Sequence, residues 1–315
     1  MKRLFILASA AIVALASCAK TEVVYNEGQQ EISFKKITGV MTKDGETQDP
    51  VRFAGDMGVY ADHTVDAETT PYFANIEFSG MASTNWVADP SQYYPVSGTL
   101  DFVAYSPYAE TGRATYSTTA GALELTLTDN KTAQTDLLYS EKLIGKSKSS
   151  SALGLTLYHA LSKIDIATTT STGVTFVGFT LDNTVQSGTC TVSYDENGAA
   201  TPSWDTEDAS TYSFQSTSNT ISCLVVPSAQ TSITLKYYYN NMLPTGFADL
   251  NDTEKAEAIE AVTLTHEVDL STGTWAAGKS YTYNINITPD QIMFTPSVKN
   301  WEPTDSQTVP TTSAQ

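Results

Sequence analysis

Beyond residue 31, apolar and polar residues alternate with a period of two through much of the chain, and this constrains the fold more than any other feature. Successive side chains of a strand point to opposite faces, so such alternation describes strands with one buried and one exposed face. The clearest case is Tyr281, Tyr283, Ile285 and Ile287 alternating with Thr282, Asn284, Asn286 and Thr288. Others run through Leu123, Leu125 and Leu127, and through Ile233, Leu235, Tyr237 and Tyr239. From Ala152 the apolar set Leu153, Leu155, Leu157, His159 and Leu161 changes parity to Ile164 and Ile166, which predicts a β-bulge near Ser162-Lys163. Turn signals at Asp129-Asn130, Ser171-Thr172-Gly173, Glu196-Asn197-Gly198 and Pro227-Ser228 separate the runs. Strands at this spacing predict an all-β chain of antiparallel β-sandwiches. One short helix is expected as an insertion, from Asp252 to Ala261 with Asn251 or Asp252 as its cap.

The 47 Thr and 31 Ser residues suit exposed sheet faces, where Thr fits the pleat without adding charge. A length of 315 residues suggests two domains. The linker-like segment 142–151, with Lys142, Lys146, Lys148 and Ser149-Ser150-Ser151, places the boundary between residues 147 and 148. The domains expected are therefore 18–147 and 148–301, followed by a polar tail at 302–315. In that tail only Val309 and Ala314 are apolar, and Pro303 and Pro310 interrupt it.

The N-terminus reads as a secretory signal at residues 1–17: Lys2 and Arg3, then an apolar stretch from Leu4 to Leu15. Leu15-Ala16-Ser17-Cys18 resembles a bacterial lipobox, so Cys18 is the expected lipidation site and the mature first residue. After this segment no run is long and apolar enough for a membrane helix. Cys190 and Cys223 then remain, as a disulfide outside the reducing cytoplasm or, the favoured reading, as packing residues.

The formal charge of −18 repels phosphate backbones and argues against nucleic-acid binding. His63, His159 and His266 lack metal-ligand spacing, so no zinc site is signalled. No nucleophile elbow, phosphate loop or dinucleotide glycine pattern occurs. No catalytic residue and no cofactor are expected; a paired-carboxylate glycosidase site is defined in three dimensions and stays open. His159 continues an apolar face and reads as a packed, hydrogen-bonded core imidazole. By the same parity Tyr237 and Tyr239 are core residues, while Tyr238 points outward with Lys236. An outward Tyr238, together with Trp86, is the basis of an alternative function, a surface lipoprotein binding glycans through exposed aromatics.

Several segments in order resemble the fimbrillin-like family of pilins and adhesins: Glu31-Ile32-Ser33-Phe34, FAGDMGVYA at 53–61, YFAN at 72–75, NWVADPSQYYP at 85–95 and LDFVAYSPY at 100–108. Later come TDLLYS at 135–140, LGLTLYHALSKIDI at 153–166, and the stretch from TWAAGKSYTYNINIT to SVKNW at 274–301. The resemblance implies two transthyretin-like sandwiches and a lipid-anchored precursor at the outer membrane. It also implies a cell-surface fimbrial subunit or tip component without enzymatic activity. Its implied partners are other fimbrial subunits, a trypsin-like processing protease, the outer membrane, and host or microbial surface ligands. In assembly of that kind the protease cuts after a basic residue near the N-terminus, the first strand (here about 31–40) leaves, and a strand from the next subunit takes its groove. Arg52, one of two arginines left after the signal, is the expected cleavage residue, Phe53 the new N-terminus and Lys43 the reserve site. The segment Ile292–Trp301 serves either as a donor strand or to close its own sandwich.

Overall fold

The structure, a computed structural model, describes residues 29–35, 55–80, 85–132, 134–148 and 151–301. In chain order the first strands are β1 (Met57–Val65), β2 (Glu68–Ser79), β3 (Val87–Ala88), β4 (Thr99–Ser106), β5 (Ala114–Ser117) and β6 (Ala122–Leu127). There follow β7 (Leu138–Ser140), β8 (Leu143–Lys146), β9 (Leu157–His159), β10 (Ser162–Thr170), β11 (Val174–Val185) and β12 (Gly188–Tyr194). The last are β13 (Ala200–Asp205), β14 (Thr211–Ser216), β15 (Thr220–Val225), β16 (Ser232–Tyr239), β17 (Leu264–Asp269), β18 (Lys279–Ile287) and β19 (Ile292–Asn300). The helix α1 (Asp252–Val262) lies between β16 and β17, as the sequence predicts. Its capping box is complete: Asn251 accepts from the Glu254 amide and Glu254 from the Asn251 amide, both at 3.0 Å. It buries no residue.

The strands form four sheets. The first runs β3-β2-β1-β4-β7-β9, with β8 also on β4; the second runs β13-β12-β6-β5. The other two, β15-β10-β18-β19 and β14-β11-β16-β17, enclose a core of Ile164, Phe179, Leu235, Trp275, Tyr283 and Ile285. Among the named strands all pairings are antiparallel except β10 with β18, which run parallel from Lys163↔Ser280 to Thr170↔Ile287; the bridge Phe34↔Leu153 is also parallel.

The first sheet is covered on both faces, and β4 shows why its sequence reads as a nearly continuous apolar run. Leu100, Phe102 and Ala104 enter one core, with Met57, Val59, Phe78 and Trp86. Val103 and Tyr105 enter another, with Tyr60, Leu123, Leu125, Cys190 and Val192. That third core draws on both sides of the expected 147/148 boundary, because β12 pairs with β6 from Gly188↔Leu127 to Ser193↔Ala122. Leu157–His159, also beyond that boundary, pairs with β7 in the first sheet.

The parity change after His159 is a change of sheet, not the predicted bulge. β9 ends in the first sheet and the chain turns at Ala160-Leu161 into β10 of another, where the register with β15 is unbroken from Ser162↔Val225 to Ala167↔Thr220. A strand that passes between layers must turn its side chains to a new core, which produces the same sequence signal as an inserted residue.

Candidate functional site

The curled first sheet leaves a seam between its two ends, and residues 29–35 fill it. On one lip, Ile32 N–H donates to the Gln92 carbonyl (2.7 Å), Phe34 N–H to Trp86 (3.0 Å), Trp86 N–H to Phe34 (2.9 Å) and Tyr94 N–H to Gln30 (3.0 Å). On the other, Lys35 N–H donates to the Leu153 carbonyl (2.6 Å) and Leu153 N–H to Ser33 (2.8 Å). Leu153 leads into β9, so the segment ties the β3 end of the sheet to its β9 end. Both edges of this strand are paired, so it fills a groove between the two ends of the sheet. Residues 36–40 of the predicted strand lie outside the described residues.

Side chains follow the period of two. Ile32 and Phe34 are 0% exposed, whereas Glu31 and Lys35 are exposed. Phe34 meets Phe78 and Phe102 edge to face, with ring centroids 5.1 and 5.7 Å apart. Such pairs are favoured by the ring quadrupoles beyond the area they bury. Burying Ile32 and Phe34 is worth about 1.5–3 kcal/mol each. The floor is apolar: Phe78, Trp86, Tyr94, Phe102, Leu153 and Leu155. Burial raises the Tyr94 pKa and keeps its phenol neutral there. At the rim, Ser91 Oγ donates to Glu31 Oε1.

Trp86 is the hinge of the arrangement. Its main chain binds Phe34, and its Nε1 donates to the Gly55 carbonyl at 3.0 Å. Phe34 and Gly55, on either side of the stretch 36–54, thus both bond to Trp86. Lys43, Arg52 and Phe53 belong to that stretch; like Cys18 and the tail 302–315, they lie outside the described residues.

Other candidates are placed as follows. Cys190 and Cys223 are free, buried thiols in different cores, so the possible disulfide does not form here; each packs among apolar neighbours. Trp86 is 0% exposed, and Trp204, Trp275 and Trp301 point their rings inward as well, Trp204 only partly buried. Tyr238, expected to face outward, is 8% exposed. β16 runs directly into the 240–262 insertion, whose helix contacts it, and this end of the polar face is covered while Lys236 stays exposed. The two aromatics offered for glycan stacking are thus internal. His159 is the packed imidazole expected: its Nδ1 meets Asp136 Oδ1 at 2.9 Å, and its ring stacks on Trp301 with centroids 3.7 Å apart. Ile292–Asn300 is β19, paired along its length with β18, and so closes its own sandwich. Among the described residues no group of His, Cys, Asp and Glu is arranged to hold a metal, and no helix is long and apolar enough to cross a membrane. Local pattern did not single out Tyr94 and Leu153, nor Trp86 as a lip of the seam, although all three lie in the segments that carry the family resemblance.

These features define an all-β sandwich protein whose prominent site is a hydrophobic seam closed by its own N-terminal strand. The chain belongs to the fimbrillin-like family, whose model matches residues 49–301. A structure of a candidate cell adhesion protein from Bacteroides uniformis aligns with a TM-score of 0.57 at 19% identity, covering 87% of this chain and 100% of that one. Another, from Bacteroides ovatus, aligns with a TM-score of 0.55 at 16% identity, covering 87% and 98%. At such identities the likeness is one of fold. No match was found among curated proteins. Membership of the family gives the chain a fimbrial or adhesive role at the cell surface.

Proposed function

We propose that this chain is a fimbrial subunit, in a structural, accessory or tip position, that accepts a strand from a neighbour after proteolysis frees its own. In this reading Cys18 carries a lipid anchor to the outer membrane, a trypsin-like protease cuts after Arg52, and residues up to that point leave the seam. The observation that supports it most is the seam itself: a strand held by main-chain bonds on both edges and two apolar anchors, with Phe34 and Gly55 both bonded to Trp86. Any incoming strand with apolar residues at alternate positions reproduces the same bonds, so exchange is nearly balanced in contact energy. The cut supplies the direction. Before it, the resident strand competes at an effective concentration on the order of millimolar; afterwards that advantage is gone. With β19 already paired, the described part of the chain acts as an acceptor.

Limited trypsinolysis of the folded chain tests this. The expected product begins at Phe53, loses residues 29–35 slowly or on adding a strand peptide, and forms linear oligomers with fresh subunits. A trimmed product that keeps residues 29–35 permanently, or stays monomeric beside strand-donating subunits, would falsify the exchange. Arg52→Ala, with Lys43→Ala as its companion, identifies the cleavage residue.

A further inference from the structure

The strand β14 offers the chain a second, separate mode of association. From Ala209 to Leu235 no residue carries charge, in a chain whose formal charge is −18. This run forms β14 and β15, the edge strands on one side of the second sandwich. The outer edge of β15 is partly occupied: Leu224 N–H donates to Gln134 Oε1, and Val226 N–H, just past the strand, to the Val185 carbonyl. Among the described residues no strand pairs with the outer edge of β14. Its inward groups are identified by the Ser210 carbonyl, which accepts from Gln186 N–H at 2.9 Å, and the Tyr212 carbonyl, which accepts from Thr184 Oγ1 at 2.7 Å. By the period of two, the main-chain groups of Thr211, Ser213 and Gln215 face away from the sheet.

Other free edges carry blocks of the kind that prevent edge pairing. β13 has Pro202 and Asp205, β17 has His266, Glu267 and Asp269, and β19 has Pro296 and Lys299. β5 is short and pinned by Tyr116, whose O–H donates to Asp62. β14, with the sequence TYSFQS, has neither proline nor charge. It also carries Tyr212, 40% exposed and packed edge to face on Phe214 at 4.9 Å.

We propose that β14 is a homotypic docking edge, where two copies of this chain join through antiparallel β14–β14 pairing centred on Ser213. The electrostatics select the occupant: two strongly acidic chains repel wherever their charges approach, and this edge brings none together. The register is self-complementary. Thr211 falls opposite Gln215 of the second copy and Ser213 opposite Ser213, giving up to about six main-chain hydrogen bonds. Tyr212 then falls opposite Phe214 of the second copy, so the exposed ring is covered from both sides by a cross-strand aromatic pair. The result is one continuous sheet shared by two second sandwiches.

The test uses the uncut mature chain, in which the seam strand is in place and strand exchange is blocked, so its outcome is independent of the proposed function. Sedimentation equilibrium at micromolar to sub-millimolar concentrations should show a dimer. Thr211 and Gln215 are exposed and make no side-chain hydrogen bond in the structure, so replacing them leaves the fold intact. T211K/Q215K sets like charges opposite each other and should raise the dimer Kd at least tenfold. T211K/Q215E sets opposite charges across the pair and should restore association, with a dependence on salt. A monomer throughout the concentration range, or a dimer that T211K/Q215K leaves unchanged, overturns the proposal.

Discussion

Replacing Phe34 by Ala should open the seam without unfolding the molecule. The ring is 0% exposed and meets Phe78 and Phe102 at 5.1 and 5.7 Å, so truncation removes both contacts and leaves a cavity. Buried Phe→Ala changes cost about 3–5 kcal/mol. At about 1.4 kcal/mol per tenfold, local opening of residues 29–35 should become about two to three and a half decades more frequent. The assay is native-state hydrogen exchange. Trp86, Tyr94 and Leu153 donate their amides to Phe34, Gln30 and Ser33, so these three protons report the strand leaving. They should exchange faster by that factor, while amides of β10 and β18, in the other core, hold their wild-type rates. Equal acceleration everywhere would mean that the strand leaves only with global unfolding. No acceleration would mean that Phe34 does not hold it. Either result refutes the reading of residues 29–35 as a separable closure.

Three further outcomes follow from the described geometry. Burial pushes the Cys190 and Cys223 thiols up from 9.0 to about 12, and the folded state therefore holds their protons more tightly than the unfolded one. Their contribution is complete below pH 9 and lost as pH climbs towards 12, so the denaturation midpoint should fall over that range, and both thiols should resist a disulfide reagent at pH 8 until denaturant is added. His159→Ala should destabilise the chain by roughly 2–4 kcal/mol through loss of the Asp136 bond and the Trp301 stack, with a red shift of tryptophan emission as Trp301 meets water; an unchanged chemical denaturation midpoint would contradict it. Asn251→Ala removes a capping box worth about 1 kcal/mol to α1. Because α1 buries nothing, its amides should exchange about fivefold faster while the global midpoint stays put, as a denaturant titration will show.

What the sequence discloses here is local and what it conceals is long-range. Parity identified the inward set of β18 and β6, and a cap at Asn251 or Asp252 marked the start of α1, because each depends on neighbours within a turn or a pleat. Parity failed at Tyr238, where the insertion that follows β16 packs against that strand and the residue is buried, and at Ser162, where a change of sheet imitated a bulge. Nothing between residues 122 and 194 announces that β6 will pair with β12, since a strand edge accepts any partner with the right face. The site was legible as an apolar first strand at 31–34; that Leu153 would form its second lip was not, because that contact joins residues more than a hundred positions apart.

The β6–β12 pairing also bears on how the chain comes to be folded. A polypeptide that emerges N-terminus first presents Leu123, Leu125 and Leu127 long before Cys190 and Val192 arrive to cover them. The same holds for β10, whose parallel partner β18 begins at Lys279, near the end of the chain. Closing such distant contacts is entropically slow, and the half-built layers stay adhesive in the meantime. The layer around Leu123 and Leu125 therefore stays uncovered until Cys190 and Val192 have been delivered, and a chain whose synthesis stops before β12 should need a chaperone or be destroyed.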